Sequence, residues 1–165
     1  MPNRGASRQN YGTPWDFIRA VERRFGPLAV DLAAEPGNAK APIYLTREQN
    51  ALTVPWGATF GPALCWLNPE FADIDPWAEK CRTETALTFG LRVIMLTPAS
   101  VGSEWFAAHV HRKARVLAVR PRLHFEGEPE PYPKDCMVSL FGFGRSGFGV
   151  WRWRKPTKRG KGRTR

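Results

Sequence analysis

The chain has 165 residues, 42% of them hydrophobic, and a formal net charge of +10. That length suits one domain able to bury roughly 70% of the surface its unfolded chain exposes. No run of about 18 apolar residues occurs, so a membrane-spanning helix is not expected; the opening MPNRGASRQNYG lacks the apolar stretch of a secretory signal, and a cytoplasmic location is expected.

In chain order, residues 1–10 read as a flexible start. Thr13-Pro14 predicts an N-cap followed by a first helical position. Asp16 falls in the first turn, where the helix dipole favours it. Phe17, Ile18, Val21 and Phe25 continue at helical spacing, and Gly26-Pro27 stops the helix. LAVDLAA, Leu28 to Ala34, reads as a short apolar strand interrupted by one acid. The following Pro-, Gly- and Asn-rich stretch reads as loop, with a short strand around Ile43–Thr46. ALCWL, Ala63 to Leu67, has no in/out alternation, as expected of a strand covered on both faces. Asp75-Pro76 predicts a second helix, N-capped by Asp75 and running to about Phe89 before Gly90. RVIML is a further continuous strand, GSEWFAAHVHRKA a helix capped by Ser103, and ARVLAV and CMVSLF two more strands separated by the turn-rich EGEPEPYP. Strands alternating with helices imply a parallel or mixed sheet with helices on its faces.

The chain closes on WRWRKPTKRGKGRTR, which holds eight of the 25 Lys/Arg and no acid, leaving 17 basic against 15 acidic groups in the preceding 150 residues. The body is nearly neutral and the tail is a polycation, expected to be disordered beyond Trp153. A phosphate backbone suits such a tail, because each neutralised phosphate releases a counterion. A solubility tail or a general anion binder has the same composition.

Several patterns lead nowhere. Cys65, Cys81 and Cys136 form no CxxC and read as buried free thiols. GFGRSG, Gly142 to Gly147, matches G-x-G-x-x-G after a strand, but no helix follows, so it reads as a glycine-rich hairpin. His109, His111 and His124 have no partners at metal or triad spacing. Asp73 and Asp75 could suggest a nuclease pair, but Asp75 has the simpler N-cap reading. No metal is expected.

LNPEF is different. The apolar run ALCWL stops at Asn68, and Pro69 holds Asn68 in an extended conformation in line with the strand. Carboxyl ends of strands form the binding crevice in open α/β sheets. Asn-Pro is also an ordinary turn starter, so the tetrapeptide alone leaves both readings open.

The ordered set YGTPWDF (11–17), VDLAAEPGNAKAPIYLT (30–46), WLNPEF (66–71), MLTPASVGSEWF (95–106) and RPRLHFEG (120–127) resembles the phage-type DNA N-6-adenine methyltransferases, the Dam-like family, over about residues 11–143. The resemblance implies a single-domain Rossmann-like methyltransferase fold over residues 11–153, an α/β architecture with a mostly parallel sheet and helices on both faces. It implies S-adenosylmethionine as cofactor and DNA as substrate, in a bacterium or phage-infected host. A monomer or weak dimer is expected. Asn68, Pro69 and Phe71 match the family's (D/N)-P-P-(Y/F) catalytic tetrapeptide. Thr13 and Pro14 look like its N-terminal cofactor element, and Asp31 falls where its first cofactor motif lies. Asn38, in NAK, and Asn50, in REQNAL, follow that motif. With Tyr11 and Ala33 these complete the implied cofactor set. Asp31 is also a lone acid in an apolar strand, costly to bury without partners, and is expected to hydrogen-bond near the cofactor.

Three departures stand out. Glu70 replaces the usual second proline and would bring negative charge beside the site unless it points away or meets an Arg or Lys. Asn50 stands where an acid is frequent. The Gly-rich turn general to methyltransferases is missing after the first strand, where only Gly37 is available. Nucleic-acid contacts are expected from Arg120 and Arg122, with a salt bridge to Glu126 or Glu128 as the alternative, and from Arg152, Arg154 and Lys155 at the start of the tail. Two other functions fit the same residues: methylation of another planar amine in RNA, cytosine or glutamine, and a methyltransferase-like DNA-binding module weakened by Glu70.

Overall fold

A computed structural model describes residues 11–154; Lys155, the rest of the tail and residues 1–10 lie outside the described residues. The amphipathic run after Pro14 forms α1, Trp15–Phe25, which buries Phe17, Ile18 and Val21 and ends at Gly26 with φ 106°. Six further segments of the mixed sheet and two helices follow: β1 Val30–Asp31, β2 Ile43–Tyr44, α2 Trp56–Phe60, β3 Leu64–Leu67, α3 Asp75–Leu87, β4 Arg92–Pro98, β5 Arg115–Arg120 and β6 Cys136–Phe141. The edge strand β7, Gly147–Arg152, completes a seven-stranded sheet in the order β2-β1-β3-β4-β6-β5-β7. Only β6 runs antiparallel, between β4 and β5. The expected mostly parallel Rossmann-like architecture is present.

The continuous apolar strands alternate between two cores. Leu64 and Trp66 of β3, with Ile94 and Leu96 of β4, face α1. Cys65 and Leu67, with Val93 and Met95, face Trp56 of α2, Ala78 and Cys81 of α3, and Val110. Each large side chain buried this way contributes about 1.5–3 kcal/mol. Helices on both faces explain why these strands carry no polar alternation.

Five expectations change in detail. The N-cap of α1 is Pro14, with ψ 140° and no side-chain cap; Thr13 is buried and its hydroxyl is engaged elsewhere, as described below. Asp75 is the first helical residue of α3, behind Ile74, and its carboxylate lies 3.4 Å from His109 Nε2. The strand expected over Leu28–Ala34 pairs regularly only at Val30 and Asp31, because the chain then turns into the loop that Asp31 anchors. The helix after Ser103 is a π-helical turn, Phe106–Val110, with the His111 amide donating to Phe106 O at 2.8 Å; Ser103 Oγ accepts the Phe106 amide at 3.4 Å. The Gly142–Gly147 stretch is no hairpin. It carries the chain from β6 past β5 to the far edge, where β7 pairs parallel to β5. Gly142 is required there: its φ is 80°, and a Cβ would lie 2.3 Å from Leu91 O.

Candidate active site

A cleft of about 770 Å³ opens where β1 and β3 end. Pro69 keeps the chain extended past β3, so Asn68 leaves the sheet at the cleft wall. Its Nδ2 donates to Tyr11 O at 2.6 Å and to Thr13 Oγ1 at 3.0 Å. A backbone carbonyl can only accept, so the amide nitrogen must face Tyr11 and Oδ1 must face the other way. Among the described residues no donor reaches Asn68 Oδ1 or the Pro69 carbonyl. Two acceptors at one strand end are thus without a donor among the described residues.

Tyr11 to Pro14 form a strap across this wall. The Glu126 amide donates to Gly12 O at 2.9 Å in an isolated antiparallel bridge. Beside the strap, four rings pack together. Phe71 lies 5.8 Å from Tyr11 and 5.9 Å from Tyr132, and Phe125 lies 5.1 Å from Tyr11. Burial, with the nearby Cys136 and Tyr11, pushes the Tyr132 phenol up to about 12, so it stays protonated and can donate.

Tyr11, Ala33, Asn38, Asn50, Asn68 and Pro69 all line the cleft. Thr13 and Pro14 lie behind its wall, and Phe71 sits in the aromatic cluster. Asp31 is buried below the cleft floor. Its Oδ2 accepts the Lys40 amide at 2.9 Å and its Oδ1 the Ala33 amide at 3.3 Å, so it fixes the loop from which Ala33 and Asn38 line the cleft. Burial raises the Asp31 carboxyl above its ordinary value, while the Lys40 and Ala33 amides and the Lys40 charge pull it part of the way back. Within the loop, Asn38 Oδ1 accepts the Glu35 amide at 2.8 Å. Asn50 holds φ 48°, a left-handed conformation that asparagine tolerates better than most residues.

Sequence reasoning missed Glu35, Arg47 and Trp77, which also line the cleft, and weighed Asp73, another lining residue, only as half of a nuclease pair. Glu70 carried the one available signal, since a carboxylate at that place calls for a cation. Arg47 supplies it, donating from a guanidinium nitrogen to Glu70 Oε1.

The arginines expected to meet nucleic acid are all exposed but differ in their partners. Arg122 Nε pairs with Asp135 Oδ1 at 2.9 Å, not with Glu126 or Glu128. Arg154 pairs with Asp16 and lies over the Trp153 ring. Arg120 and Arg152 stand opposite each other on β5 and β7, and no described acid pairs with either.

The DNA N-6-adenine-methyltransferase (Dam) family profile matches residues 3–135. The chain belongs to this family. It is 26% identical over 110 residues to the DNA N-6-adenine-methyltransferase of Haemophilus phage HP1, covering 66% of this chain and 61% of that protein. It is 26% identical over 135 residues to the enzyme of the same name from Escherichia phage T1, covering 82% of this chain and 55% of that protein. The chain therefore spans somewhat over half the length of these relatives. Among solved structures, the type IIL restriction-modification enzyme MmeI in complex with DNA aligns with TM-score 0.46 at 16% identity, over 70% of this chain and 21% of that one.

Proposed function

We propose that this Dam-family chain transfers a methyl group from S-adenosylmethionine to the exocyclic amine of an adenine in DNA. The observation that carries the proposal is the orientation of Asn68: both amide protons are held by the strap, and Oδ1 is left to the cleft. Adenine's exocyclic nitrogen is a poor nucleophile because its lone pair is delocalised into the ring. Asn68 Oδ1 and the Pro69 carbonyl can accept its two N–H bonds, draw it toward a tetrahedral shape and stabilise the positive charge that grows on it. Preorganised dipoles of this kind are often the largest catalytic term. Phe71, which packs against Tyr11 and Tyr132, is assigned to stack on a base flipped out of the duplex.

The cleft's donor set fits the cofactor. Its size lies within the ordinary range for small-molecule sites. Leu32, Ala33 and Ala51 give an apolar floor, while the Glu35 and Asp73 carboxylates supply negative charge for a cationic ligand. Ala33, Asn38, Asn50 and Trp77 are the residues that would hold it. S-adenosylmethionine supplies an electrophilic methyl group when bound; the protein's part is to hold amine and methyl in line and exclude water.

The arginine pair Arg120 and Arg152, with Arg122, Arg154 and Lys155, is assigned to the DNA backbone. The reading of a weakened module rests on the Glu70 charge, and the Arg47 pairing weakens that reading. The test is incubation of mixed-sequence DNA with labelled cofactor, followed by mapping of modified bases. Label on adenine N6 is expected; label on cytosine alone, or no label on DNA while parallel incubations with RNA or protein take it up, would overturn the assignment.

A further inference from the structure

Lys40 is a buried cation that the methyl-transfer reading does not use. Its side chain is 3% exposed, and its Nζ lies 3.0 Å from Glu126 Oε1 and 4.4 Å from the centre of the Trp15 ring. Burying an ammonium is costly unless it is paired and well placed. An apolar side chain of the same length would fill the space, so a structural need for bulk does not explain a lysine.

The partners of Lys40 join two parts of the site. Its backbone amide is held by Asp31 Oδ2 at 2.9 Å, which closes the loop carrying Ala33 and Asn38. Its ammonium reaches Glu126, and the Glu126 amide bonds Gly12 O at 2.9 Å. A Cβ on Gly12 would lie 2.6 Å from Glu126 Oε2, so the strap passes against this carboxylate with no room for a side chain. Gly12 sits between Tyr11 and Thr13, the two residues that hold the Asn68 amide nitrogen.

We infer that Lys40 is a positioning residue: through Glu126 it clamps the Tyr11–Pro14 strap to the cleft loop and so fixes the direction of the Asn68 carboxamide. This inference rests on the methyl-transfer reading for its catalytic consequence, but not for its structural one. Occupation of the cleft loop and orientation of Asn68 become linked through one ion pair, buried on its lysine side and open to water on its glutamate side. A ligand that steadies the loop steadies the acceptor as well, and linkage requires the reverse to hold for binding.

The test is Lys40→Met in the full chain, with Glu126→Gln as a second variant. Methionine keeps the stem and removes the charge, and Glu126, 40% exposed, can regain water. Thermal stability should therefore hold or rise. Three quantities are read: hydrogen exchange of the Asn68 side-chain amide by NMR, single-turnover methyl transfer, and KM for S-adenosylmethionine. In both variants exchange should quicken and the single-turnover rate should fall by about tenfold, within the usual range for linked sites, with a smaller change in KM. A lysine that only filled space would leave exchange and rate unchanged when replaced by methionine. Wild-type exchange in a folded Lys40→Met or Glu126→Gln protein would overturn the clamp. Quickened exchange with a wild-type rate would overturn its part in the reaction. If the wild-type protein methylated nothing while exchange still responded to Lys40→Met, the methyl-transfer reading would fall and the clamp would stand.

Discussion

Asn68 Nδ2 lies 3.0 Å from Thr13 Oγ1, and this hydrogen bond helps to hold the carboxamide in the direction that the accept-only Tyr11 carbonyl dictates. Thr13→Val removes the hydroxyl while keeping the shape of the buried side chain. One neutral hydrogen bond contributes about 1 kcal/mol, so the turnover rate should drop by about fivefold with KM for DNA little changed. Steady-state kinetics checks this. An unchanged rate would mean that Tyr11 O alone orients Asn68.

Glu70 and Arg47 neutralise one another at the cleft mouth. Glu70→Pro restores the family tetrapeptide and releases Arg47, so activity should be preserved or raised. Glu70→Ala should behave similarly, because the pair is exposed and such pairs contribute about 0–1 kcal/mol. Initial rates of methyl transfer decide it; a large loss in both variants would assign Glu70 a positive role.

Asp31 holds the cleft loop from below, so Asp31→Ala should weaken S-adenosylmethionine binding without abolishing folding, as calorimetry would measure. The pH dependence has a definite sign. The Asp31 carboxyl is raised above its ordinary 3.8, chiefly by burial. A raised group contributes stability that is fully present below its unfolded value and is lost as pH rises through its folded value. The melting-temperature advantage of the wild-type protein over Asp31→Ala should therefore narrow as pH rises from below 3.8 through the folded value. A gap that widens over that window would contradict the assignment.

Arg120 and Arg152 project from neighbouring strands with no described acid to pair with. Each alanine substitution should flatten the salt dependence of DNA binding, by about one unit of slope for every phosphate that is no longer neutralised. Deleting residues 155–165 should flatten it further. Arg122, already paired with Asp135, should matter less. An unchanged slope in the Arg120→Ala, Arg152→Ala double variant would move the DNA path elsewhere.

Strands β3 to β6 were legible because they are continuous apolar runs, and α1 because Phe17, Ile18, Val21 and Phe25 keep helical spacing; β7 was not, because its run is largely exposed and interrupted by glycine, and α2 fell in a Pro- and Gly-rich stretch that read as loop. Asn68 was singled out because a proline follows it at a strand end, but that pattern also fits an ordinary turn, and only the ordered set of family-like segments gave it a catalytic reading. The caps were less so: Thr13 has the composition of an N-cap, but its hydroxyl meets Asn68, a partner 55 residues away in sequence. Asp31 was seen as a costly buried acid, yet its partners, the Lys40 and Ala33 amides, depend on how the loop folds back. The glycine-rich connection read as a hairpin because local sequence cannot tell whether a strand pairs with its predecessor or passes beyond it. Lys40 carried no signal at all, since only the fold brings Glu126 and Trp15 to it.

The most direct test of the account is single-turnover methyl transfer to duplex DNA by Asn68→Ala, alongside its thermal melting. If Asn68 Oδ1 accepts a hydrogen bond from the target amine, it matters most as charge develops on that nitrogen, so turnover should fall more than DNA affinity. Loss of one preorganised dipole in comparable sites lowers rates by about 10²–10³; losing the two hydrogen bonds from Asn68 Nδ2 to the strap should cost about 1 kcal/mol each and lower the melting temperature without unfolding the protein. That fall in rate, in a protein that still melts in one cooperative transition well above the assay temperature, is the predicted result. Full activity in a well-folded Asn68→Ala protein would contradict the catalytic assignment and return LNPEF to an ordinary turn.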